Sequence, residues 1–146
     1  MKLEWMILAE GLGQDAKGAI TLISVNQNLL IAPSLPAITR RAVFAHFVVA
    51  EGDLKSGDQM DFKVSAISPA GEVISAQQGQ GTVGDPMWPE LPLTLDFPVQ
   101  LALNCKEYGE YRIQLDVQFP HESFREAVSF FVKPPPEGVG GTSSKP

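Results

Sequence analysis

Leu95-Asp96-Phe97-Pro98-Val99-Gln100-Leu101-Ala102-Leu103-Asn104 opens a run of three strands that continues to Lys133. Leu95, Phe97, Val99, Leu101 and Leu103 hold one phase. Asp96, Pro98, Gln100, Ala102 and Asn104 hold the other. The next segment repeats the pattern, with Tyr111, Ile113, Leu115, Val117 and Phe119 set against Arg112, Gln114, Asp116 and Gln118. Phe124, Val128, Phe130 and Val132 then share one phase of the last segment. Successive side chains of a strand point to opposite faces, so each segment has one apolar and one mostly polar face.

The same reading extends backwards along the chain. Strands are expected at Leu3 to Glu10 and at Ala19 to Val25, with Gly11, Gly13, Asp15 and Gly18 supplying a turn between them. Pro33 and Pro36 argue against a long helix between Asn26 and Arg40, so an irregular connection with a short strand at Leu29 to Ala32 is expected there. Met60 to Ile67 and Glu72 to Val83 form a hairpin about Ser68-Pro69-Ala70-Gly71. The Gln77-Gln78-Gly79-Gln80-Gly81 half of that hairpin packs weakly and reads as an edge or a bulge. Arg41 to Glu51 differs from every other segment. Val43, Ala45, Phe47 and Val49 are apolar in one phase, and Phe44, His46, Val48 and Ala50 are largely apolar in the other. Such a strand is central and covered on both sides, or its outer face meets another chain.

About eight strands with regular turn signals make this an all-β chain, a single immunoglobulin-like, Greek-key β-sandwich. Tyr108-Gly109-Glu110-Tyr111 matches the Gly-x-Tyr entry to the penultimate strand of such domains, where the Tyr111 hydroxyl ties the corner. Residues 1–133 form the domain. Residues 134–146, which start with Pro134-Pro135-Pro136, are expected to form a flexible Pro/Gly/Ser-rich tail.

Bulk composition narrows the function classes. The chain has 146 residues and a formal net charge of −6, a sign that repels nucleic acid phosphates and anionic lipid. Neither nucleic acid nor membrane is an expected partner. Arg40-Arg41 is the one adjacent basic pair. Cys105 is the single cysteine, so no internal disulfide can form, which fits a reducing compartment. Residues 1–10 lack a signal peptide's long apolar run, so a cytoplasmic location is expected.

Candidate chemistry is sparse. His46 and His121 lack metal-ligand spacing, and both read as structural or solvated. Cys105 falls in an inward phase and reads as packing. Glu51, Asp53, Asp58 and Asp61 crowd one loop region, which admits a Ca²⁺ site or a metal-assisted enzyme, although Glu-Gly-Asp and Ser-Gly-Asp are also plain turn chemistry. Trp88, among Pro86, Pro89 and Pro92, is either an exposed binding anchor, suited to a carbohydrate or small ligand, or a lid folded over the core. The lid is the preferred expectation. No phosphate loop, dinucleotide fingerprint, nucleophile elbow or zinc signature is present, and no catalytic residue, cofactor or metal is assigned.

Several landmarks taken together resemble a bacterial domain-of-unknown-function family, number 6941. They are Leu8-Ala9-Glu10-Gly11, Asp15-Ala16-Lys17-Gly18, the Pro33/Pro36 connection, Val64 to Gly71, and Tyr108 to Arg112. The resemblance implies a compact bacterial, cytoplasmic β-sandwich and brings no catalytic residues. The expected function is a non-enzymatic interaction module that binds a protein partner or a second copy of itself. Phe44, His46, Val48 and Trp88 are its candidate surface, with an uncovered outer face on the Arg41 to Glu51 strand as the route to a homodimer.

Overall fold

A computed structural model describes residues 1–25, 28–86 and 88–137. Nine strands follow one another: β1 (Lys2–Gln14), β2 (Ile20–Val25), β3 (Leu29–Ile31), β4 (Ala37–Val49), β5 (Gln59–Ile67), β6 (Val73–Thr82), β7 (Leu93–Cys105), β8 (Gly109–Gln118) and β9 (Ser123–Lys133). No helix occurs among the described residues. The strands make two sheets, one ordered β2-β1-β4-β7 and the other β3-β9-β8-β5-β6. All neighbours are antiparallel except β3 and β9, which run parallel. Successive strands change sheet at β2–β3, β3–β4, β4–β5, β6–β7 and β7–β8, so the chain crosses repeatedly between layers as in an immunoglobulin-like sandwich.

The inward phases fill the space between the sheets. Val43, Ala45 and Phe47 of β4 and Phe97, Val99, Leu101 and Leu103 of β7 face Val64 and Ala66 of β5, Ile113, Leu115 and Val117 of β8, and Phe130 and Val132 of β9. Phe47 meets Phe97, Phe119 and Phe124 edge-on at ring separations of 5.6, 5.8 and 5.2 Å. The Tyr111 hydroxyl donates to the Glu107 carbonyl at 2.7 Å, which is the expected corner, and its ring stacks on Phe130. Cys105 is fully buried, as its phase requires.

Some boundaries move. β1 runs on to Gln14, so Gly11 and Gly13 lie inside the strand and the turn is made by Asp15, whose carboxylate accepts the Lys17 and Ala19 amides. Gly11 is small for a different reason. The Gln100 side chain crosses from β7 to accept the Leu12 amide at 2.9 Å, and a Cβ on Gly11 would meet its Oε1 at 3.2 Å. β4 starts at Ala37, earlier than its apolar run suggests. Arg41 contributes to no surface patch. It turns inward, 3 % exposed, donates to Thr39 Oγ1 and the Arg40 carbonyl, and lies over the Phe130 ring. Lys133 ends β9, and residues 138–146 of the expected tail lie outside the described residues.

Candidate interaction surface

The outer phase of β4 is where the structure departs most from an ordinary sandwich. Phe44 and His46 point away from the core and are half-buried. Their neighbours on the same sheet shield them. Register places His46 opposite Trp5 of β1 and Asp96 of β7, and Phe44 opposite Ile7 and Pro98. Trp5 stacks on His46 at 4.9 Å with the rings 12° from parallel, and meets Phe44 at 5.3 Å. His46 Nδ1 lies 2.6 Å from Asp96 Oδ1, and its Nε2 lies 3.8 Å from Glu4 Oε2. The imidazole is thus held by an aromatic face on one side and by two half-exposed carboxylates at its edges.

Val48 extends this surface along β4, and Ile23 and Val25 extend it onto β2, where both are more than 40 % exposed. From Asn28 onward the chain belongs to the opposite sheet: the Asn28 carbonyl accepts the Phe131 amide of β9, and β3 pairs with β9. Trp5 and Ile7 belong to this surface although the alternation of residues 3–10 does not reveal it. A register shift between Leu3 and Trp5 resets the phase, so Leu3, Met6 and Leu8 point inward while Trp5 and Ile7 point out. Strand bulges carry no reliable mark in a single sequence.

The other candidates lie apart. Trp88 is 59 % exposed, which overturns the lid expectation. Val83 and Phe119 are buried, and Leu54 packs against the core. Three of the four loop carboxylates are accounted for separately. Asp58 accepts the Lys55 amide, Asp53 pairs with the N-terminal amine, and Asp61 stands on the outer face of β5. Among the described residues, no three His, Cys, Asp or Glu side chains converge on a metal-sized space. His121 is exposed in the β8–β9 turn. Cys105 lies nine residues along β7 from the Asp96 that holds His46, about 30 Å away. Burial raises its thiol pKa; a hydrogen bond with Tyr111 and the Arg41 charge only partly oppose this.

The opposite outer face is polar. Cross-strand register lines up Arg125, Asp116, Lys63 and Gln78 in one row and Ser123, Gln118, Asp61 and Gln80 in the next, along a groove of about 990 Å³. Arg125 Nε bonds Asp116 Oδ1 at 2.6 Å. Burial disfavours the Asp116 carboxylate, but hydrogen bonds from Arg125 and Gln114 outweigh it and hold the carboxyl below its usual range.

No protein-family model matches the chain, and no curated protein matches it. No helix among the described residues is long and apolar enough to cross a membrane.

Proposed function

We propose that this chain is a non-enzymatic interaction module that docks a protein partner on the outer face of the β2-β1-β4-β7 sheet. The observation that carries this reading is the Trp5–His46–Phe44 cluster with Val48, Ile7, Ile23 and Val25 around it. A sandwich gains nothing in its core from these side chains. Clustered aromatics at the centre of a surface, ringed by polar groups, are what binding hot spots are made of. Glu4 and Asp96 set the rim, so the complementary partner has an apolar centre and basic groups at its edge. Supporting a non-enzymatic reading, the histidine, the thiol and the loop carboxylates lie in different places. The resemblance to the domain-of-unknown-function family 6941 adds a bacterial, cytoplasmic setting to this reading.

Affinity capture with wild type and Phe44→Glu, each verified as folded, tests the proposal. The partner is expected with wild type and absent with the variant; identical captures would defeat it. Trp88 supports a second reading, a stacking platform for a carbohydrate, because its indole is open to solvent. A saccharide that perturbs the fluorescence of wild type and not of Trp88→Ala would favour that reading.

A further inference from the structure

Every open sandwich has edge strands, and natural proteins protect them because an unpaired row of N–H and C=O groups invites another chain. Three of the four edges here are protected. β3 has only three residues. β2 has six and carries Ser24 at a φ of 53°, in the left-handed region. β7 carries Pro98 in its middle, and Gln77 Nε2 donates to its Gln100 carbonyl at 2.9 Å.

β6 is the exception. It has ten residues with neither a proline nor a charge, and among the described residues it pairs only with β5. Val83 exchanges backbone hydrogen bonds with Gly57 and Asp58 on the β5 side. Alternation then turns Gly81, Gly79 and Gln77 toward β5 and leaves the backbone groups of Ala76, Gln78 and Gln80 directed outward.

We propose that two copies of this chain pair antiparallel through β6, about Gln78, into one ten-stranded sheet. The strand complements itself in that register. Gln78 meets the second copy's Gln78, and Ala76 meets its Gln80, both as hydrogen-bonded pairs with outward-directed amides. On the inner side, Gln77 falls opposite Gly79, large against small. No side chain on Gly79 can compete, because a Cβ there would lie 2.8 Å from the Phe62 ring. Each chain carries a net charge of −6, yet its β6 presents no like charges to its copy. The polar row Arg125-Asp116-Lys63-Gln78 continues across the joint into its own symmetry copy. A two-fold axis through an antiparallel pair stands perpendicular to the sheet. Both Trp5–Phe44 surfaces then face the same side, and a dimer offers the partner two sites at once.

Sedimentation equilibrium of the full chain at tens to hundreds of micromolar tests this. The wild type is expected at twice its 15.8 kDa chain mass. Gln78→Pro, which removes an outward N–H without touching the β5 ladder, is expected at one. Gln78→Lys, which opposes two lysines beside Lys63, keeps the test valid if the proline variant does not fold. Phe44→Glu is expected to stay dimeric. Amide exchange at Gln78 and Gln80 is expected to slow as concentration rises, with no such change at Arg112. A wild type that remains monomeric overturns the proposal. So does a dimer that survives both folded Gln78 variants, or one that Phe44→Glu dissociates.

Discussion

The two outer faces of this sandwich cover the same core and have opposite chemistry. Behind β5 and β8 the surface is a lattice of alternating charge: Arg125, Asp116 and Lys63 in one row, with Gln118 and Asp61 beside them. Behind β1 and β4 it is Trp5, Ile7, Phe44, His46 and Val48. Folding explains the first face, since charged and polar outward residues keep a sheet soluble and in register. Folding does not explain the second. Apolar side chains are abundant on all protein surfaces, so single ones carry no message. An aromatic cluster tied in place by a carboxylate is a different matter, and the proposed docking site rests on this difference between the faces.

The contrast can first be broken from inside. Leu115 is 2 % exposed at the centre of the core, and Leu115→Ala is expected to cost about 2–5 kcal/mol in urea unfolding. Phe44→Ala, on the outer face, is expected to cost clearly less while removing partner binding. If Phe44 proves as costly as Leu115, the outer cluster is structural and the two faces serve the same purpose.

Tyr111→Phe comes next. It leaves the ring stacked on Phe130 but removes the hydroxyl that bonds the Glu107 carbonyl and amide, and a loss of about 1–2 kcal/mol is expected. A neutral effect would mean that the corner is held by packing alone.

The Cys105 thiol gives a kinetic check. It is buried and its pKa is raised, so alkylation at pH 8 is expected only on the timescale of unfolding. Rapid modification of the native protein would show that the core opens at that end.

The smallest effect belongs to the polar face. Asp116 titrates below its ordinary range when folded, so its ion pair stabilises the fold above the unfolded carboxylate pKa. That contribution fades as pH falls through the lower, folded value. Arg125 is largely exposed, and Arg125→Ala is expected to cost at most about 1 kcal/mol at pH 7. The gap between variant and wild type should close as the solution is acidified. A gap that persists in strong acid would assign Arg125 a packing role instead.

Alternation alone makes the second half of the molecule legible from its residues. β7, β8 and β9 lie where their period-two patterns place them, the Tyr111 corner forms, and the weak Gln/Gly strand is an edge. Features that depend on a single displaced residue or a long reach stay hidden in the sequence. The register shift after Leu3 brings Trp5 into the outer cluster. The Gln100 side chain explains Gly11, and inward rotation removes Arg41 from the surface. The double apolar phase of β4 points to the right strand, but its covering aromatic comes from a segment whose own pattern is scrambled.

Docking on the outer face of the β2-β1-β4-β7 sheet is tested most directly by site-specific photo-crosslinking in living cells. One variant carries the reactive residue at position 44 and another carries it at position 114. Phe44 looks out from one sheet and Gln114 from the other. A discrete protein adduct from position 44 with none from position 114 is the expected result. The same adduct from both positions, or one from position 114 alone, would contradict docking at this face.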